Sequence, residues 1–134
     1  MQNNLLSDRL LNFAADSIKL SDRFSKNPTG LHISNQFMRS SSSAGANYEE
    51  ACGAESKKDF IHKMQLVLKE LRESIFWLKL SEKCGLIDMK ELKIILQEVE
   101  EFVKIIAKSV ITAKGLNKWI YTLRFTLFDF HFLI

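Results

Sequence analysis

The feature that most restricts this chain is an apolar stripe at helical spacing, almost uninterrupted by residues that break helices. It is cleanest after Asp88, where Leu92, Ile95, Leu96, Val99, Val103, Ile106 and Val110 alternate steps of three and four. That repeat places side chains on one face of an α-helix. Near the start, Leu6, Leu10, Phe13, Ala14, Ile18 and Phe24 recur at similar intervals. Five Gly and one Pro in 134 residues disfavour a turn-rich β-sandwich. An all-α fold is expected.

The breaks between stripes are short, and four helices are predicted over about residues 4–25, 31–53, 56–84 and 88–115. Ser25-Lys-Asn-Pro-Thr-Gly30 is the clearest turn, since Pro28 and Gly30 both oppose helix continuation. The second helix is the weakest pattern, because Ser40 to Ser43 and Gly45 are poor helix formers. The third has both ends marked, by a capping box at Ser56 and Asp59 and by Gly85. Asp88-Met-Lys-Glu91 opens the fourth in the same way. Short connections favour an up-down-up-down four-helix bundle over residues 1–117, followed by a hydrophobic C-terminal extension over 118–134. That extension alternates with period two, as in Phe128, Phe130, Phe132 and Ile134, but no other segment reads as a strand to pair with it. A hydrophobic strap, an oligomer clasp and a poorly ordered extension are all compatible with it.

The third helix is apolar on two sides. Phe60, Ile61, Met64, Val67, Leu68, Leu71, Ile75 and Leu78 share one face, while Leu66, Phe76, Trp77 and Leu80 lie roughly opposite. A helix of this kind is covered on both faces, so Leu66, Phe76, Trp77 and Leu80 are candidates for an oligomer interface.

Net charge is +3, all of it in the second half of the chain. Between Glu101 and Asp129 there is no acid, while Lys104, Lys108, Lys114, Lys118 and Arg124 fall in the interval. These five are candidate nucleic-acid contacts, although basic residues near a helix C-terminus are also expected from the macrodipole. Two cysteines, Cys52 and Cys84, form no disulfide scaffold and suit a reducing compartment. No secretory leader is legible, and Arg124, Asp129 and His131 interrupt the apolar tail before it reaches the length of a membrane span. A cytoplasmic protein without a membrane partner is expected. His32, His62 and His131 lie far apart, no cysteine–histidine pair has ligand spacing, and no glycine-rich phosphate loop occurs. No catalytic residue, metal site or cofactor is predicted.

Arg39, Ser43, Asn47 and Glu50 form a polar stripe within about 80° of arc on the second helix, beside an apolar face. Such a stripe either ties helices or subunits together by hydrogen bonds or contacts a ligand. If buried, it would pair Arg39 with Glu50.

The same stretch, Ile33 to Ala51, resembles the bacterial four-helix-bundle family named for proteins encoded in 23S ribosomal RNA intervening sequences. The family pattern of Gln, Arg, Ser, Asn and Glu is matched by Gln36, Arg39, Ser43, Asn47 and Glu50. The third helix agrees through Ser56-Lys57, Asp59-Phe60-Ile61, Leu68-Lys-Glu70, Glu73 and Trp77-Leu78, and the fourth through Ser109 to Lys114. Ile111 stands where a Lys is usual and Ala51 where a Gly is usual, and the tail lies outside the pattern. The resemblance covers about residues 5–117. It implies an up-down bundle assembling as a ring-shaped homo-oligomer, a pentamer. It also implies kinship with accessory proteins of diversity-generating retroelements, which bind nucleic acid through basic surface and contact a reverse transcriptase.

Two functions are therefore expected from different classes. One is a non-enzymatic oligomeric bundle that binds RNA or DNA non-specifically through basic residues. The other is a protein-interaction scaffold or accessory subunit, for a partner such as a reverse transcriptase, that does not touch nucleic acid itself.

Overall fold

A computed structural model describes residues 2–115. The C-terminal extension, including Lys118, Arg124 and the period-two segment, lies outside the described residues. Four helices follow one another: α1 (Gln2–Ser21), α2 (Pro28–Cys52), α3 (Lys57–Lys83) and α4 (Met89–Ala113). Consecutive helices pack side by side, α2 against α3 most extensively, and the circuit closes through a slighter contact between α1 and α4. This is the up-down-up-down bundle.

Local chemistry sets the helix ends. Asn27 caps α2 by accepting the Gly30 N–H at 2.7 Å. Pro28 thus starts the helix, with its φ preset and no N–H to satisfy. The expected turn over 25–30 is therefore shorter, and its Pro and Gly belong to the first turn of α2. Gly30 is needed there because a Cβ would lie 1.9 Å from the Ser25 carbonyl oxygen. Ser56 accepts from the Asp59 N–H at 3.0 Å to open α3. Beyond Lys83 the chain turns at Gly85 with φ of +64°. There the Leu86 N–H reaches the Ser81 carbonyl and the Gly85 N–H that of Glu82, the paired bonds of a Schellman ending.

The two loops at this end are tied together, since the Ser25 N–H donates to the Leu86 carbonyl at 2.9 Å. Phe24, expected within the first helix, lies beyond it and is buried beneath this junction. Ile18, expected on its core face, is half exposed.

The serine run does not interrupt α2. Ser40, Ser41 and Ser42 each return their hydroxyl to a carbonyl three or four residues back, which satisfies the group without leaving the helix. Their small size is what α3 needs. Ser40 and Ser74 are both fully buried, with their hydroxyl oxygens 2.8 Å apart across the seam. The core is built from Phe13, Phe37, Leu71, Leu78, Val99 and Phe102 among others, and the Phe13 and Phe102 rings meet edge to face at 5.6 Å. Among the described residues no helix is long and apolar enough to cross a membrane.

Candidate nucleic-acid interface

The polar stripe of α2 lies along the α2–α3 seam, but its partners are not those the sequence suggested. Arg39 forks between Glu70 at 3.2 Å and Glu73, both on α3. Gln36 flanks the same guanidinium, and the Trp77 indole N–H donates to Glu73 at 3.1 Å. Arg39 hydrogen-bonded to Glu73 holds that carboxyl below the usual carboxylate range. Glu50 sits further along and binds Lys63 at 2.8 Å, more than half exposed. Asn47 donates to the Ser43 carbonyl of its own helix. The Arg39–Glu50 pairing is thus replaced by two separate bridges from α2 to α3. The physical reason is spacing: Arg39 and Glu50 lie three turns apart along α2, whereas antiparallel α3 brings Glu70 and Glu73 level with Arg39.

The second apolar side of α3 is also divided. Trp77 and Leu80 are partly buried and pack against the chain's own core. Leu66 is partly buried, and Phe76 is 56% exposed, its ring edge-on to Trp77 at 5.0 Å. The expectation that all four point away from the core holds for Phe76 best, because Trp77 lies far enough round the helix to reach the α2 seam.

On α4 Lys90 and Lys93 lie beside Glu91, and after Glu98, Glu100 and Glu101 the charged residues that follow are all bases. Arg9 of α1 binds Glu98 through 3.0 and 3.2 Å contacts and Glu101 at 3.1 Å, with its guanidinium 4.9 Å above the Phe102 ring. Arg23 pairs with Glu91. Lys104 and Lys108 are exposed on the following turns and Lys114 caps the helix, and none of these three enters an ion pair among the described residues. Lys118 and Arg124 lie outside the described residues.

A second basic surface escaped the sequence reading. Lys58, His62, Lys69, Arg72, Lys79 and Lys83 follow one another along α3 in steps that keep them within about 100° of arc. All are exposed or half-exposed, and Gln65 and Phe76 complete the row. The signal was present as a four-three alternation that needs Gln65 and Phe76 to fill its gaps between basic residues, and the stronger apolar alternation on the opposite side masked it.

His32 meets the Trp77 ring edge-on, Cys52 and Cys84 are free and exposed at helix ends, and no cluster fit to hold a metal occurs among the described residues. Tyr48 is buried, which raises its phenol to about 12, with Cys52 and Glu49 adding to the shift. Two shallow apolar hollows remain on the exterior. One, of about 540 Å³, lies between α1 and α2 beside Leu11, Ala15 and Ile18. The other, of about 530 Å³, lies between α1 and α4 over Phe13, Leu20 and Ile95.

These features define an up-down four-helix bundle with cross-helix ion pairs on its seams and lysines on its exterior. The chain belongs to the 23S rRNA-intervening sequence protein family, whose model matches residues 3–108. Its fold is similar to that of a protein of unknown function from the S23 ribosomal protein family of Bacteroides thetaiotaomicron. That match has a TM-score of 0.75 and 31% identity over 82% of this chain and 98% of the other. No curated protein matches. Of the residues that carried the family resemblance, Gln36, Arg39, Glu70, Glu73 and Trp77 meet in the α2–α3 cluster, while Asn47 and Glu50 bond elsewhere along the seam.

Proposed function

We propose that the protein is a non-enzymatic, oligomeric bundle that binds RNA or DNA through its basic exterior, in the cytoplasm and without base readout. The observation that carries this reading is the run of exposed lysines that closes α4. Three of its four glutamates, at 91, 98 and 101, are engaged by Arg23 and Arg9, and the fourth, Glu100, stands about a turn before Lys104. Lys104, Lys108 and Lys114 stay exposed and enter no ion pair among the described residues. Cations in this state condense on phosphate backbones and release counterions. One such patch binds at roughly 10⁻⁴–10⁻⁶ M at physiological salt. Copies repeated in an oligomer raise apparent affinity by about 10²–10⁴ when one strand spans them. The apolar hollow beside Leu11 and Ile18 supports self-association, because patches of this kind mark contact surfaces. The pentamer implied by resemblance is the assembly expected.

The test is a salt titration of binding to a long RNA, comparing wild type with Lys104→Glu, Lys108→Glu and Lys114→Glu combined. Steep salt dependence that the variant loses while keeping its mass in light scattering is the expected result. A second reading, a scaffold or accessory subunit for a protein such as a reverse transcriptase, is favoured by the groove over Phe13 and Ile95. Absence of RNA binding by the wild type at low salt moves the assignment there.

A further inference from the structure

The outer face of α3 is a long, exposed basic surface. From Lys58 to Lys83 it runs about 38 Å at 1.5 Å per residue. It carries Lys58, His62, Lys69, Arg72, Lys79 and Lys83, and no acidic residue falls within its arc. The nearest, Glu73 at its edge, is neutralised by Arg39 from α2. In the middle of the row Phe76 is 56% exposed. Nothing in the core requires an aromatic ring at that place, since the neighbouring Trp77 covers the seam. A hollow between His62, Gln65, Leu66, Lys69 and Arg72 lies alongside, about one to four turns before the ring.

We infer that this face of α3 is a binding track for single-stranded nucleic acid. The lysines contact successive phosphates, and a base stacks on Phe76. The inference rests on the nucleic-acid reading above and specifies its site and ligand. A row of cations alone does not separate single strands from duplexes; the geometry does. The major groove of A-form RNA is too deep and narrow for a helix to enter. The wider groove of B-DNA admits a helix but shows it base edges, whereas the base faces stay stacked and closed to an aromatic ring. Here α2 and α4 pack on both flanks of α3 and leave only the outer arc open. A flexible strand can lie along that arc, and its unpaired bases offer π-faces to the exposed ring. A basic track interrupted by an aromatic platform is the arrangement that binds single strands with little sequence preference.

The experiment measures binding of a fluorescent oligouridine of about 20 nucleotides and of an RNA duplex of the same length, across salt concentrations. Five proteins are compared. They are wild type, the combined variant Lys58→Gln, Lys69→Gln, Lys79→Gln and Lys83→Gln, the single variants Phe76→Ala and Phe76→Leu, and the α4 triple variant described above. Circular dichroism checks that each retains the fold, and Phe76→Leu serves as a second variant that keeps apolar contact without a ring. The inference expects wild type to prefer the single strand. Loss of four contacts should lower the slope of log K against log salt by about 3, since each contributes about 0.7 for single strands. Phe76→Ala and Phe76→Leu should each weaken single-strand binding about ten- to hundredfold, the range of one lost stack, and leave duplex binding unchanged. If the α3 variants bind like wild type while the α4 variant does not, the track is refuted and nucleic-acid binding stands. Equal or tighter binding of the duplex also overturns it. If wild type binds neither ligand, both readings fall.

Discussion

The charge cluster on the α2–α3 seam permits a sharp test, because the sequence and the structure give Arg39 different partners. Consider Glu73→Gln, which keeps size and shape and removes the charge. The Trp77 indole bond survives, since an amide oxygen still accepts at the 3.1 Å position. What is lost is the difference between a charged and a neutral acceptor for one arm of Arg39, about 1 kcal/mol before screening. Solvent reduces it, because the Arg39 and Glu73 side chains are 46% and 30% exposed. A loss of about 0.5–1 kcal/mol is expected, or about 2–5 °C in the melting temperature. Glu70→Gln combined with Glu73→Gln leaves Arg39 without a carboxylate and should cost about 1–2 kcal/mol. Glu50→Gln should leave the melting temperature unchanged within error, because Glu50 is 57% exposed and makes a single, screened bridge to Lys63.

The pH dependence has a definite sign. Arg39 holds Glu73 below the ordinary carboxylate range, so its contribution is fully present above the unfolded value, near pH 4. It disappears as pH falls through the lowered folded value. Wild type and Glu73→Gln should therefore differ at pH 7 and converge in strong acid. The assay is urea unfolding followed by circular dichroism, with a double-mutant cycle on Arg39→Gln and Glu73→Gln. A coupling of zero, or a Glu50→Gln cost equal to that of Glu73→Gln, would refute the pairing.

Other perturbations bear on the core and the caps. Phe102→Ala empties a fully buried site against Phe13 and should cost about 3–5 kcal/mol in urea unfolding. Gly30→Ala would gain helix propensity in an open site, but here the added methyl meets the Ser25 carbonyl. The sign should reverse to a loss of about 1–3 kcal/mol, the range for overpacking, and a stabilised variant would refute the close approach. Tyr48, with its phenol raised to about 12, should lend stability below pH 10 that is lost as pH climbs towards 12. Tyr48→Phe should remove that alkaline slope, as seen by thermal melts from pH 8 to 12.

The sequence by itself determined the class of the fold. The apolar repeat of α4 and the capping signals at Ser56, Gly85 and Asp88 each depend on residues close in the chain, and local backbone chemistry acts the same wherever the helix sits. Composition likewise sufficed to favour helices, and the order of polar residues on α2 and α3 sufficed to suggest the family. Contacts between helices were another matter. That Arg39 meets Glu70 and Glu73, and Glu50 meets Lys63, follows from how far antiparallel α3 slides along α2, and no periodicity encodes that offset. Whether Trp77 faces outward or covers a seam depends on how far α2 wraps around α3. The serine run of α2, a weak helix in isolation, is held because Ser40 meets Ser74 in a seam too tight for larger side chains. The basic row of α3 was present in the letters. Only the packing of α2 and α4 on its flanks decided that this row, rather than any other charged residues, forms one continuous exposed track.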